Sequence, residues 1–255
     1  MLAGGLVEQE EQRLAEVKDA FGVIRVIERG PYRFLEFGDA VEQSCVFMPD
    51  PAWLEYDYTR AMLLGALCHP APESALFLGL GAGSLTQACL RFLPLQDVEV
   101  IELRPEVLRL ARQLLGFADD PRLTLQVGDA MSLLPQAEMA DLIFVDLYTD
   151  TGPAAGHLAW GFLEQCQQRL HPGGWLIINQ WGTARGAPLG AALLRGLFHR
   201  HYWECPVQEG NVVLLVPASL EQQPDFLSVR ARLQALAPAL GYSLQPLLEQ
   251  VRPAS

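Results

Sequence analysis

Gly79-Leu80-Gly81-Ala82-Gly83-Ser84 is the stretch of this chain whose residue types most clearly could do chemistry. It follows the apolar run Ala75-Leu76-Phe77-Leu78, where a strand must turn into a helix. Glycines at such a turn permit positive φ and let the backbone approach a bound ligand closely. Glu102 closes the next apolar run about 20 residues on, where a ribose-binding carboxylate belongs. Gly128-Asp129-Ala130 closes the third run, a place from which a carboxylate can accept from an adenine amino group. Taken together, Gly79, Gly81, Gly83, Glu102, Asp129 and Ala130 describe a nucleoside site at the carboxyl edge of a parallel sheet. Taken singly, Glu102 and Asp129 are compatible with solvated strand ends. NAD is one candidate ligand, but its fingerprint asks for a third glycine where Ser84 stands.

The elements that must position these residues follow from periodicity and punctuation. From residue 74 strands and helices alternate: strand 75–78, helix 84–92, strand 98–101, helix 105–115 with Pro105 at its first position, strand 122–127, a short helix at 130–134, strand 141–145, helix 158–170 and strand 175–179. Such alternation predicts a parallel sheet with helices on both faces. After a helix at 188–199, the runs 201–207 and 211–216 are joined by Glu209-Gly210-Asn211, a hairpin that places one strand antiparallel. Residues 219–251 are expected to be helical. Upstream, residues 6–20 read as a short polar helix, and 22–48 as a β-meander punctuated by Gly30-Pro31 and Gly38-Asp39. Asp50-Pro51 then opens a helix running to Leu67, and Pro70 and Pro72 end it. The expected architecture is α/β and Rossmann-like: residues 1–72 form an N-terminal helix, small β-element and linking helix, and residues 73–255 a domain with a seven-stranded, mainly parallel sheet.

Composition narrows the functional classes. In 255 residues, half of them hydrophobic, 18 Lys and Arg face 30 Asp and Glu, for a formal net charge of −12. An acidic chain repels phosphate backbones, which argues against nucleic-acid partners and mildly favours a cationic substrate. Lys18 is the only lysine, which leaves little scope for Schiff-base chemistry. The five cysteines are scattered with no CxxC pair, as in a reduced cytoplasmic protein without a zinc site. No uncharged apolar run reaches 18 residues, so no membrane span is expected. Tyr148 and Trp181 follow the fourth and fifth strands, where aromatic rings could hold an alkylammonium by cation–π contact. His199-Arg200-His201 reads as the basic end of a helix, not as a metal site.

From about Phe21 to Val216 the chain resembles the spermidine synthase family of polyamine aminopropyltransferases. The resemblance rests on Val41 to Met48, the Tyr58-bearing helix, Leu76 to Gly83, Val98 to Glu102, Gly128-Asp129-Ala130, and above all Asp141-Leu142-Ile143-Phe144-Val145-Asp146 with Gly152-Pro153-Ala154. It implies the S-adenosylmethionine-dependent transferase version of the Rossmann-like fold, decarboxylated S-adenosylmethionine as co-substrate, a small-molecule amine as acceptor, Tyr58 in the substrate pocket, no metal, and a homodimer.

Against the family pattern this chain departs at three places. The resemblance places a catalytic aspartate three residues after Asp146, where Thr149 stands, with Asp150 one position later. It therefore implies that Asp150 binds and deprotonates the acceptor amine while Asp146 helps position it. Tyr58-Thr59-Arg60 keeps the tyrosine of a Tyr-His-Glu motif and loses the other two residues. Ala82 replaces an aspartate that binds the donor's primary amine in the family. A carboxylate there would repel that of intact S-adenosylmethionine by ~1–4 kcal/mol at about 4 Å. Its loss keeps open S-adenosylmethionine-dependent methyl transfer, or aminocarboxypropyl transfer. A catalytically silent nucleoside-binding relative is the third reading.

Overall fold

Antiparallel strands come first in the computed structural model, which describes residues 11–39, 41–154 and 156–254. Strands β1 (Glu11–Asp19), β2 (Gly22–Arg29), β3 (Tyr32–Phe37) and β4 (Val41–Phe47) pair in sequence order into a small sheet. The expected polar helix at 6–20 is therefore corrected over residues 11–19, and residues 6–10 lie outside the described residues. Glu, Gln, Arg, Ala and Lys favour a helix locally, but tertiary pairing overrides that preference. Arg25 Nε donates to Glu16 Oε2 at 2.7 Å and Arg29 Nε to Glu11 Oε2 at 2.8 Å across the β1–β2 pair. Leu14, Ala15 and Val17 meanwhile pack on the apolar layer beneath.

Helix α1 (Asp57–Ala66) begins later than the expected Asp50-Pro51 start. Asp50 instead makes a turn: its carboxylate accepts the Ala52 N–H at 3.2 Å, and its carbonyl accepts the Trp53 N–H at 2.9 Å. Although grouped with the N-terminal residues by its prolines, α1 packs into the core of the large sheet. A Cβ on Gly65 would stand 2.5 Å from Leu215 Cδ2, so glycine is what lets this helix lie so close.

Beyond α1 the chain runs β5 (Ser74–Leu78), α2 (Ser84–Phe92), β6 (Asp97–Glu102), α3 (Pro105–Leu114), β7 (Leu123–Val127), α4 (Ala130–Leu133), β8 (Ala140–Val145), the two-residue strands β9 (Tyr148–Thr149) and β10 (Gly152–Pro153), and α5 (Trp160–Gln168). It continues with β11 (Leu170–Trp181), α6 (Ala191–Leu197), β12 (Trp203–Pro206), β13 (Asn211–Pro217), α7 (Phe226–Leu240), α8 (Gln245–Leu248) and β14 (Arg252–Pro253). The large sheet has the order β14-β12-β13-β11-β8-β5-β6-β7. β11, β8, β5, β6 and β7 are parallel, and β13 runs antiparallel to β11 as the hairpin predicts. The seven expected strands are thus present, and the short β14 adds an eighth at the edge.

Alternation along the buried strands builds two cores. Ala75 and Phe77, with Leu142 and Phe144, face α1, α2, α7 and α8; Leu76 and Leu78, with Ile143 and Val145, face α4, α5 and α6. A third layer of Ile24, Val26, Leu35, Phe37 and Val46 packs on Val107 and Leu110 of α3 and on Ala82. It joins the small sheet to the large one next to the glycine loop.

Candidate active site

A cleft of about 690 Å³ opens at the carboxyl ends of β5, β6, β8 and β11, with the small sheet along one side. That size lies within the range of small-molecule sites. Arg104 holds the small sheet in place. Its guanidinium makes a two-pronged contact with Asp19, Nε to Oδ2 at 2.9 Å and Nη2 to Oδ1 at 2.8 Å, donates to the Gly22 carbonyl, and lies 4.4 Å from the centre of the Phe37 ring. Burial alone would raise the Asp19 carboxyl, but hydrogen bonds from Arg104 and the Phe21 N–H hold it below its ordinary value.

Gly79, Gly81 and Glu102 line the cleft together. Gly79 has φ +96° and a Cβ there would stand 2.3 Å from the Asp146 carbonyl oxygen, so the loop passes directly against the end of β8. At Gly81, φ +55°, a Cβ would meet Ser44 Oγ at 2.6 Å. Ser44 Oγ accepts the Ala82 N–H at 3.2 Å, a contact from β4 to the loop. Glu102 is 8% exposed, and its two carboxylate oxygens accept the Leu80 and Arg104 N–H groups at 2.9 Å each. Burial raises its pKa, and these donors act in the opposite direction. The carboxylate thus fastens the glycine loop to the end of β6 and has lone pairs left for a ribose hydroxyl.

The remaining expected nucleoside residues sit elsewhere. Gly83, φ +86°, is the N-cap of α2, and a Cβ there would run into the Phe117 ring at 2.3 Å. Asp129 caps α4: its carboxylate accepts from the Met131 N–H at 3.3 Å and the Ser132 hydroxyl at 2.7 Å. Ala130 is buried behind it in the core that α4 shares with β6 and β8. Gly83, Asp129 and Ala130 are therefore not among the residues that line the cleft. Ala82, 1% exposed, is also absent from that lining and is packed into the layer between the two sheets.

Asp146, Tyr148, Asp150, Tyr58 and Trp181 line the same cleft. Asp146 Oδ1 accepts from Asn179 Nδ2 at 2.8 Å, and Asn179 Oδ1 in turn accepts from Asn211 Nδ2 at 2.8 Å. The Tyr148 hydroxyl closes this network by donating to the Asn179 carbonyl at 3.3 Å. Burial pushes the Asp146 carboxyl up to about 6, against the lowering effect of the Asn179 hydrogen bond. Tyr58 donates to the Gln43 carbonyl at 3.4 Å and stacks on Tyr56 with ring centres 5.8 Å apart. Burial, reinforced by the neighbouring Asp146, raises its phenol well above the ordinary value. Trp181, 43% exposed, lies 6.2 Å from the Tyr148 ring and packs over Gly152, where a Cβ would stand 2.6 Å from its indole.

Asp150 and Thr149 have different settings. The Thr149 hydroxyl is turned into its own loop, donating to the Gly152 carbonyl at 3.0 Å and meeting the Thr151 hydroxyl at 3.1 Å. Asp150 is exposed at the rim, close against Gly38 in the β3–β4 connection; a Cβ on Gly38 would lie 3.0 Å from Asp150 Oδ2. Thr59 and Arg60 point away from the cleft. The Thr59 hydroxyl donates to the Tyr56 carbonyl, and Arg60 donates to the Leu54 carbonyl while lying 4.4 Å from the Tyr242 ring centre.

The cleft also contains residues that the sequence reading did not single out, among them Gln43, Ser44, Asn179, Glu209 and Asn211. Asn179 carried a visible signal, a polar residue closing the apolar run Trp175-Leu176-Ile177-Ile178. Gln43 and Ser44 reach the cleft only because the small sheet docks on the glycine loop, which no local pattern encodes. Among the described residues no cluster of three or more His, Cys, Asp or Glu is placed to hold a metal ion. His201 instead meets the Gln222 carbonyl at 2.7 Å.

Residues 57–183 match the family model described as the spermine/spermidine synthase domain. A polyamine aminopropyltransferase of Vibrio vulnificus is 28% identical over 235 residues, covering 88% of this chain and 78% of that protein. The spermidine synthase of Thermotoga maritima superposes with a TM-score of 0.74 at 15% identity, over 95% of this chain and 84% of that one. Human methyltransferase-like protein 13, in complex with SAH, superposes with a TM-score of 0.60 at 23% identity, over 73% and 90%. The fold is thus the one shared by spermidine synthases and a methyltransferase of this Rossmann-like class. The chain belongs to the spermine/spermidine synthase family.

Proposed function

We propose that this protein is an aminopropyltransferase that moves the aminopropyl group of decarboxylated S-adenosylmethionine to an amine acceptor. The observation that carries the reading is the position of Asp146: a carboxyl with its pKa raised to about 6, between the glycine loop and the aromatic end of one cleft. Names of the relatives support the same activity. The nucleoside part of the donor lies over Gly79 and Gly81 with a ribose hydroxyl on Glu102; its adenine lies toward the loop after β7, whose Asp129 and Ala130 stand outside the cleft lining.

In this reading the acceptor nitrogen attacks the carbon beside the sulfonium. A C–N bond forms, the C–S bond breaks with its electron pair kept by sulfur, and methylthioadenosine leaves. An ammonium cannot attack, so a proton must first be taken up near neutral pH. Asp146 suits that step, because a base works best when its pKa lies near the working pH. Asp150, exposed and one residue past the family position, suits capture of the incoming ammonium at the rim. In this reading burial exchanges the roles that the resemblance implies for the two aspartates. Tyr58, Tyr148 and Trp181 supply ring faces for the alkyl chain and its charge.

Methyl transfer is not favoured, since Ala82, on which that alternative rested, is packed away from the cleft lining. No described helix is long and apolar enough to cross a membrane; a cytoplasmic homodimer completes the proposal and is checked by cell fractionation and light scattering. The test of activity is incubation with decarboxylated or intact S-adenosylmethionine and a panel of amines, with products identified by mass. Aminopropylated amine and methylthioadenosine are expected, and a methylated product instead would overturn the reading.

A further inference from the structure

His157 lies behind the cleft, 3% exposed and not among its lining residues. It stands just past the β9–β10 hairpin, which carries Tyr148 and Asp150 and is closed at its base by the Ala154 N–H donating to the Leu147 carbonyl at 2.9 Å. Nδ1 of the ring lies 2.9 Å from the Ala154 carbonyl oxygen, and Nε2 lies 3.3 Å from Gln180 Oε1 on β11. Both partners are acceptors. The Gln180 amide cannot be turned round to offer a donor instead, because Oε1 accepts the Trp181 N–H at 2.9 Å and Nε2 donates to the Leu189 carbonyl at 3.0 Å. Reversal would set donor against donor at one end and acceptor against acceptor at the other. Each ring nitrogen therefore needs a proton to make its contact. Burial lowers the pKa of the ring against the raising effect of both contacts, so near neutral pH one proton serves two acceptors.

We infer that His157 is a positioning residue for the hairpin that carries Tyr148 and Asp150, fastening its base through Nδ1 or tying it to β11 through Nε2, and never both at once. The shorter contact places the proton on Nδ1, so lone pair faces lone pair at Gln180 and the tie to β11 is open. Moving the proton to Nε2 closes that tie and opens the one to Ala154. Trp181, the residue after Gln180, packs its indole over Gly152 of the same hairpin, so the tie and this packing act on the hairpin from one strand. The proton thus decides whether the hairpin follows β11 or holds its own turn. The kinetic consequence rests on the aminopropyl-transfer reading, in which Asp150 captures the ammonium; the structural one does not.

The test uses three variants of the full chain. The amide of His157→Asn replaces the Nδ1 donor alone, that of His157→Gln reaches the Nε2 position alone, and His157→Leu has neither. Nitrogen NMR of protein labelled in its histidines, at about pH 7.5, above the ordinary histidine range, should show the ring singly protonated, mainly on Nδ1. Amide exchange over Tyr148–Gly152 should then match wild type in His157→Asn, slow in His157→Gln, and quicken roughly 5- to 10-fold in His157→Leu, as for one hydrogen bond made or lost. KM for the amine should rise by a similar factor in His157→Leu with kcat nearly constant, and His157→Asn should restore it. A doubly protonated ring, or equal behaviour of His157→Asn and His157→Gln, would overturn the inference, and that comparison decides alone if His157→Leu does not fold. If the wild type transfers no aminopropyl group, the functional reading fails, and the exchange and nitrogen spectra still decide the role of His157.

Discussion

Asn179 Nδ2 donates to Asp146 Oδ1 at 2.8 Å, while burial drives the same carboxyl up to about 6. The two influences oppose each other, because a hydrogen bond to the ionised form favours it and desolvation disfavours it. With Asp146 as proton acceptor, the rate should fall on the acid side with an apparent pKa near 6. Asn179→Ala removes the opposing bond and should move that limb to higher pH. A kcat/KM profile from pH 5 to 9, roughly the span around a base of this kind, measures both; a limb that stays in place assigns the proton to another group.

Asp146 also links activity to stability. Its folded pKa is raised from the ordinary 3.8 to about 6, so the folded state holds the proton more tightly than the unfolded state. That contribution is fully present below about 4 and is lost as pH rises through about 6. A shift of about two units corresponds to ~3 kcal/mol. Asp146→Asn should therefore stabilise the protein by up to that amount near pH 8, while lowering kcat by roughly 10²–10⁴. Asp150→Asn, at the exposed rim, should raise the amine KM and move kcat less. Denaturant unfolding paired with steady-state kinetics separates the two aspartates, and the reverse pattern would return the base to Asp150.

Much of this site was legible in the sequence because strand ends in a parallel sheet converge on one edge. Gly79, Glu102 and Asp146 each close an apolar run, and alternation of strand and helix is enough to bring them together. Asp129 also closes a run, but its carboxylate caps α4 through the Met131 N–H and the Ser132 hydroxyl and stands outside the cleft lining, a local contact that the pattern of runs does not reveal. The small sheet was harder to read. Glu11–Asp19 has a helix-forming composition, and only pairing with β2 makes it a strand. Ser44 reaches the glycine loop through that sheet, from 38 positions away in sequence. Glu209 was visible only as part of a turn, since its place in the cleft depends on where α1 packs.

Glu102 should show a double penalty. Glu102→Ala removes the ribose acceptor and leaves the Leu80 and Arg104 N–H groups without their partner in a buried setting. Loss of the ligand contact should weaken methylthioadenosine binding by about 1–3 kcal/mol. Each unpaired N–H should cost about 1–3 kcal/mol of stability. Calorimetry with methylthioadenosine and with NAD gives the first quantity, and thermal unfolding without ligand gives the second. Unchanged methylthioadenosine affinity in a folded variant would remove Glu102 from the site, and tighter NAD binding by the wild type would refute the donor assignment.

Arg104 and Asp19 fasten the small sheet to the cleft, and nearly all of that pair is buried, with side chains 7% and 13% exposed. Arg104→Met keeps much of the packing over Phe37 but leaves the Asp19 carboxylate without its cation. Breaking a buried pair from one side costs about 3–5 kcal/mol. The sign with pH follows from Asp19, whose folded pKa is lowered: the wild-type contribution is present above the ordinary carboxylate range and is lost as pH falls through the lowered value. The wild-type advantage over Arg104→Met should thus be large at pH 7 and shrink in acid. Removing both charges, with Asp19→Asn in the same chain, should recover part of the loss, because no bare charge is left behind. Because β4 presents Gln43 and Ser44 to the cleft from this sheet, Arg104→Met should also raise the KM values for donor and amine together. Unfolding curves at several pH values check the pair, and a loss that is independent of pH would show that Arg104 acts through packing alone.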